Sequence, residues 1–343
     1  MTGREGSLER LRPHLDILCC PGCGGDLDIE KGGLVCSTCH HEFSITDNIP
    51  QLYWPNDWDP SKKDVTQTIR EFYEETPFPN YDDFDSVGSL LAKARRSVFG
   101  KMLDDQVPFG TRVLECGCGT GQMTNFLSVA NRTVFGTDIC LNSLRLGQQF
   151  SDSNQLERTR FLQMNLFRPA FRAGTFDLVI CNGVLHHTSE PFLGFQSISH
   201  LVRRGGFILI GLYHRYGRLI TDLRRTVFKL TSDRLKSLDP NLRRRETAEA
   251  KRKAWFMDQY KNPHESKHTI GQVLQWIERI GFTFVHSIPN SVPFQPFTDS
   301  ERLFERQPAG NALERLIVES GMVFKGSAEG GFFTMIARRD GDS

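Results

Sequence analysis

The chain has 343 residues, 38% hydrophobic and 24% charged, with 42 Lys and Arg against 41 Asp and Glu. This is the composition of a globular protein with room for one domain of about 200–250 residues and a smaller companion. Its longest apolar stretch, Phe207 to Tyr213, is far below the ~20 residues of a membrane span, so no membrane partner is expected.

The first ten residues are charged and carry no apolar signal region, and a cytoplasmic location is expected from them. Next in chain order come Cys20-Pro-Gly-Cys23 and Cys36-Ser-Thr-Cys39, two C-x2-C pairs separated by 12 residues. In a reducing compartment this pattern predicts a zinc ribbon rather than disulfides. Each pair sits in a tight turn, and four thiolates complete a tetrahedron with no open position for water. Zinc held by Cys20, Cys23, Cys36 and Cys39 is therefore expected to be structural. Cys19 could replace Cys20, and His40 and His41 are weaker substitutes. The segments Ile17–Leu27, Leu34–Phe43 and Ile45–Leu52 resemble the small zinc-ribbon proteins that activate methyltransferases in trans. The resemblance implies that such a module is here fused to its enzyme. A zinc knuckle also precedes the catalytic domain in some rRNA guanine methyltransferases, and both parallels tilt the acceptor towards the translation apparatus.

Residues 1–55 are thus read as the ribbon and 56–105 as a linker with a helical cap. Prolines and polar residues over Trp54–Pro60 mark the linker. Val65, Ile69, Phe72 and Tyr73 at helical spacing predict a helix over 64–75, stopped by Pro77 and Pro79. Ser89–Leu103 reads as one further helix. Phe78 and Tyr81 are candidates for folding over a ligand, although packing as a cap is the stronger expectation.

The most informative segment is Val113-Leu-Glu-Cys-Gly-Cys-Gly-Thr-Gly-Gln122. The end of a buried strand runs into Glu115-x-Gly117-x-Gly119-x-Gly121, a turn where glycine permits positive φ and close approach of a ligand. The dinucleotide fingerprint G-x-G-x-x-G fails here, because position 122 is Gln. Thr133–Asp138, Arg160–Asn165, Phe176–Asn182 and Gly206–Tyr213 read as further strands, separated by helical stretches. Such alternation predicts a parallel doubly wound sheet with ligands at the carboxyl ends of its strands. Asp138 falls where such sheets hold ribose hydroxyls.

Glu115–Gly121, Asp138, Phe176–His187 and Val202–Ile210 together resemble the class I S-adenosylmethionine-dependent methyltransferases of the type 11-like branch. The resemblance is strong over about 106–215 and weak over 268–338. It implies an α/β, Rossmann-like, seven-stranded sheet with the last strand antiparallel, spanning 106–343. It further implies that Glu115, Gly117, Gly119, Gly121, Asp138 and Asn165 bind S-adenosylmethionine. Asn165 would pair with the adenine amine, at a position that is commonly Asp in the family. Catalytic candidates lie at strand ends: Asn182, His186 and His187 after the fourth strand, Tyr213 and His214 after the fifth. The donor methyl is already activated, so positioning dominates and a base helps only if the acceptor must lose a proton. Asn182-Gly-Val-Leu departs from the N-P-P-[YF] pattern of many enzymes that methylate base amino groups.

Two insertions are expected, near 215–268 and 290–328. Between Arg215 and Lys267 there are 15 Lys and Arg against 7 Asp and Glu. That segment is the candidate RNA-binding surface, with a solvated helical insertion as the equal alternative. Pro289–Pro308 is expected to cover the acceptor pocket. The leading reading is a methyltransferase acting on RNA or another translation component. A small metabolite or natural product is the alternative acceptor, and a non-catalytic donor-binding scaffold the third reading.

Overall fold

In the computed structural model, which describes residues 9–30, 32–58, 61, 63–79, 86–244, 249–295, 297–325 and 331–341, the ribbon comes first. Strands β1 (Leu27–Glu30), β2 (Gly33–Cys36) and β3 (Glu42–Phe43) form a small antiparallel sheet. A hairpin of β4 (Ile45–Thr46) and β5 (Ile49–Leu52) follows, turning at Asp47 and Asn48 with positive φ. Short polar side chains tolerate that left-handed conformation best.

Helices α1 (Thr66–Glu75), α2 (Val87–Ala94) and α3 (Val98–Gln106) lead into the main sheet. The expected single helix over 89–103 is therefore two. Ser97 accepts a hydrogen bond from Gly100 N (3.4 Å) and caps α3. Arg95 reaches Asp104 (Nε to Oδ2, 2.9 Å), and a Cβ on Gly100 would collide with the carbonyl of Ala94. A tight turn at 95–97 thus folds α3 back on α2.

The main sheet contains β6 (Arg112–Cys116), β7 (Thr133–Asp138), β8 (Thr159–Met164), β9 (Phe176–Asn182), β10 (Val202–Tyr213), β11 (Phe282–Ile288) and β12 (Phe332–Arg339). These strands are buried nearly end to end, as central strands covered on both faces must be. The spatial order is β11-β12-β10-β9-β6-β7-β8, with β12 antiparallel to both neighbours and the others parallel across the β6–β10 block. Between these strands run α4 (Gln122–Ser128), α5 (Leu141–Ser153), α6 (Pro191–Ser199) and α10 (Ile270–Arg279). The insertion after β10 forms α7 (Leu219–Leu230), the short α8 (Pro240–Arg243) and α9 (Glu249–Phe256), which widens into a π turn over Met257–Lys261. Helix α11 (Ala312–Lys325) precedes β12.

The sheet has nine strands rather than seven. Gln51 and Leu52 of β5 pair in parallel with Gln163 and Met164 of β8, and β4 extends the edge further. An unpaired β8 would leave a row of open backbone groups, and the ribbon covers it. The ribbon also shares the main core. Leu18 bridges Phe171, His14 packs edge-on against Phe135 at 5.2 Å, and Phe135 meets Phe171 and Phe176.

Among the described residues, none of the Pro289–Pro308 segment lines the pocket it was expected to cover. Gln106 of α3 bonds both Glu301 O and Leu303 N at 2.8 Å, Glu301 accepts from His286 at 3.0 Å, and Phe304 packs on Phe207. Leu303 is fully buried against α3 and β11. Burying that leucine decides where the segment lies, and its prolines and phenylalanines did not foretell the direction.

Candidate functional site

The carboxyl end of β6 opens into the glycine turn. Gly117, Gly119 and Gly121 have φ of 71°, 53° and 70°, the left-handed region where a side chain is strained. A Cβ on Gly117 would strike Val184, one on Gly119 the carbonyl of Phe78, and one on Gly121 the ring of Phe161. The absent side chains thus let the turn nest against its own chain. Gly119 N donates to Asp138 Oδ2 and Cys140 N to Asp138 Oδ1, both at 2.9 Å. Burial raises the Asp138 carboxyl pKa, and these backbone donors oppose the shift. Glu115 lies fully inside and accepts the hydroxyl of Thr124; burial pushes its pKa up to about 8.

A cavity of about 600 Å³ runs along this turn. Glu115, Gly117, Gly119, Asp138, Asn165 and Asn182 line one side of it, beside Ile139, Leu166 and Phe167. Gly121 stands behind the wall, on Phe161. The roof is the segment expected to be a cap: Ile69 and Tyr73 of α1, then Phe78 and Pro79, whose carbonyl accepts from Thr120. Glu74 anchors α1 by accepting Leu141 N (2.8 Å) and Asn142 N (3.0 Å) at the start of α5. Tyr81 lies outside the described residues. Asn165 reaches the cavity with its carboxamide engaged: Nδ2 donates to Trp54 O (2.9 Å) and Asn56 Oδ1 (2.8 Å), while Oδ1 accepts from Phe167 N.

The five catalytic candidates separate. Asn182, His187 and Tyr213 line the cavity; His186 and His214 do not. His187 Nδ1 lies 2.8 Å from the carbonyl of His264, so that nitrogen carries the proton and Nε2 keeps the lone pair. Burial holds the His187 pKa below its usual value, so the ring is neutral at pH 7. His186 is fully buried, stacked 3.9 Å from Tyr213, and burial drives its pKa far down. His214 accepts from Gly217 N (3.2 Å) and faces Glu319 at 3.6 Å, an internal brace.

Residues outside the sequence-based candidates complete the site. Tyr73 OH donates to Asp258 Oδ1 at 2.7 Å, and Gln259 Nε2 donates to Tyr213 OH at 2.6 Å and Asp258 Oδ2 at 2.8 Å. Arg218 lies 3.8 Å over the Tyr213 ring and bonds Gln259 and Glu265. Burial and the Asp258 carboxylate raise the pKa of Tyr73 and Tyr213, so both stay protonated donors. Tyr73 had been legible only as part of an apolar helical stripe. Asp258 and Gln259 carried no local signal, because their meeting with β10 depends on how the insertion folds back.

Four cations of the basic insertion pair with its own carboxylates. Glu265 receives Arg218 and Arg225 (2.8 Å), Lys267 meets Asp222 at 2.6 Å, and Lys261 meets Asp233 at 2.9 Å.

In the ribbon, Cys20, Cys23, Cys36 and Cys39 bring their sulfurs within 4.8 Å of one another. Cys20–Cys39 and Cys23–Cys36 are 3.7 and 3.5 Å apart. A tetrahedral zinc with bonds near 2.3 Å separates its sulfurs by roughly 3.8 Å, so the set fits zinc. Thr38 N and Cys39 N point at Cys36 Sγ and would stabilise a thiolate there. Cys19 stands outside the set, its backbone bonded to Ala170 O, and His41 packs edge-on against Trp54 at 4.8 Å.

A glycine turn, a half-buried acid at the end of β7 and a roofed cavity on this strand order define a methyltransferase domain suited to S-adenosylmethionine. Residues 114–210 match the methyltransferase domain family Methyltransf_11, and residues 12–48 match the Trm112p-like proteins, so the chain joins a methyltransferase domain to a Trm112p-like segment. An uncharacterized protein of Synechococcus sp. is 29% identical over 248 residues, 64% of this chain and 60% of that protein. The ubiquinone biosynthesis O-methyltransferase of Haemophilus ducreyi is 29% identical over 111 residues, 31% of this chain and 47% of that enzyme. The chain therefore spans about half to three fifths of these relatives' length. Among solved structures, PKMT2 from Rickettsia typhi in complex with AdoHcy superposes with TM-score 0.52 at 15% identity, over 78% of this chain and 55% of that one. That likeness concerns the fold alone.

Proposed function

We propose that the protein transfers the methyl group of S-adenosylmethionine to a hydroxyl of a small, largely apolar acceptor. The carrying observation is His187, neutral, with Nδ1 held by the His264 carbonyl and its ring lining the cavity that contains the glycine turn, which leaves Nε2 as the basic nitrogen. The bound donor supplies a sulfonium-activated methyl. Asp138 would hold its ribose, the glycine turn its methionine end, and Ile139, Leu166 and Phe167 would flank its adenine. Tyr73, Phe78 and Pro79 roof the donor's place. His187 accepts the acceptor's hydroxyl proton at Nε2, while Tyr73, Tyr213 and Asp258 orient that acceptor's polar end. In this reading residues 1–55 brace the sheet edge, 56–105 roof the donor, and 106–343 carry the chemistry.

The O-methyltransferase among the relatives supports this acceptor chemistry. A translation component remains the second reading, favoured by the Trm112p-like segment and the 215–267 charge. The largely apolar lining of the cavity weighs towards the small acceptor.

The test uses the full zinc-loaded chain, labelled donor and lysate lacking the protein. Label extracted into organic solvent supports the proposal, and RNase-sensitive label in the large fraction would replace it with the second reading. His187→Gln should lower kcat by about 10²–10⁴-fold with donor affinity unchanged. The native enzyme's acid limb should lie below pH 6.5, because burial lowers the His187 pKa and the base is lost only as pH falls through that value. Wild-type-like turnover in His187→Gln would remove the base from the mechanism.

A further inference from the structure

Thirteen large apolar side chains are exposed among the described residues, and five of them lie within 20 positions of each other: Leu219, Leu223, Leu230, Leu235 and Leu238. Leu223 and Leu230 are 65% and 80% exposed. On α7 the first three fall at i, i+4 and i+11, one face of a helix. The opposite face carries Phe228, buried against Phe256 and Tyr260. The leucine stripe is therefore left over after the helix has satisfied its own core.

Charge around the stripe has one sign. From 215 to 244 there are nine Lys and Arg against three Asp and Glu. Asp222 and Asp233 are met by Lys267 and Lys261, and buried Asp239 accepts from Trp255 and Tyr260. Arg215, Lys229, Arg234, Lys236, Arg243 and Arg244 are exposed. A surface of leucines rimmed by such cations matches the boundary of an anionic bilayer, where leucines enter the acyl region and cations meet lipid phosphates. A second copy would bring the same positive rim against itself.

We propose that α7 and the turn after it dock the protein on an anionic membrane surface. No helix among the described residues is long and apolar enough to cross a membrane; the contact is peripheral, a case that the length of apolar runs does not address. The docking face backs directly onto the cavity wall, since Arg218 and Arg225 of this element bond Gln259, which lines it. Docking would thus hold the cavity about one helix diameter from the lipid. Where the acceptor is lipid-borne, a step that rests on the proposed small apolar acceptor, it would have a short path to His187.

The test is co-sedimentation of the full zinc-loaded chain with phosphatidylcholine vesicles, with and without about three-tenths phosphatidylglycerol. Binding should require the anionic lipid, weaken with added salt, and fall about tenfold or more in Leu223→Glu/Leu230→Glu. Both positions are exposed, so melting temperature and donor affinity should stay unchanged. Donor binding, measured in parallel, reports separately on the methyltransferase reading. Failure of the native chain to bind vesicles would overturn the proposal. So would equal binding by the variant, or a native dimer that the variant turns into a monomer, which would assign the face to a second copy. Should the Glu variant misfold, Leu223→Ser/Leu230→Ser decides by the same readout.

Discussion

At the scale of single residues, the site is governed by what burial does to polar groups. Glu115 shows this most sharply. Its carboxyl is enclosed beneath the glycine turn, and its pKa of about 8 means it is protonated at neutral pH. The unfolded value is 4.5, so the folded chain holds a proton that the unfolded chain releases between pH 4.5 and 8. Stability from this group is present below the unfolded value and is lost as pH rises through the folded one. The melting temperature should therefore decline between pH 6 and 8.5, and Glu115→Gln, which keeps the hydrogen-bonding shape without the titration, should flatten that decline. Thermal unfolding across this range would decide, and parallel slopes would reject the buried-acid account. The two adjacent histidines show the same physics with different outcomes. One ring nitrogen of His187 meets a carbonyl and its ring lines the cavity, whereas His186 is sealed behind Tyr213.

At the scale of elements, the hairpin of α2 and α3 is tied to the sheet by one buried cation. Arg132 is fully inside and donates to Asp104 Oδ1 (3.0 Å), to Val107 O (3.0 Å from Nε) and to Leu127 O (3.3 Å). Removing one partner of a buried pair leaves an uncompensated charge, at a cost of about 3–5 kcal/mol. Arg132→Met should lose about that much in urea unfolding, softened because Arg95 still reaches Asp104. A loss under 1 kcal/mol would mean that Asp104 relaxes to water. The break between α2 and α3 was not legible in the sequence, where the apolar spacing continues across it. Only the contact of Gly100 with the Ala94 carbonyl and the pull of Asp104 on Arg95 show why the chain turns there.

At the scale of the whole molecule, the ribbon and the donor site form one continuous structure. Gly22 lies so close to Trp54 that a Cβ there would sit 2.8 Å from its ring, and the Trp54 carbonyl holds Asn165 at the cavity. Releasing zinc with a chelator should free β1–β3, slacken this linker and weaken donor affinity by roughly five- to tenfold, at the low end of usual couplings between sites. Calorimetric donor titration before and after chelation, with metal content measured, tests the link. Zinc loss with unchanged donor affinity would show the two sites to be independent.

The sequence alone determined the strand positions, the glycine turn with Asp138, and the four thiols, because each is written in local spacing: short continuous apolar runs, glycines at alternate positions, paired C-x2-C turns. Tertiary structure alone decided that β5 closes the β8 edge, that His187 and not His186 or His214 faces the cavity, and that Tyr73, Asp258 and Gln259 join it. It also sent the 289–308 segment to α3 rather than over the pocket. Each of these depends on which surfaces, distant in the chain, bury each other, and no window of neighbouring residues carries that information.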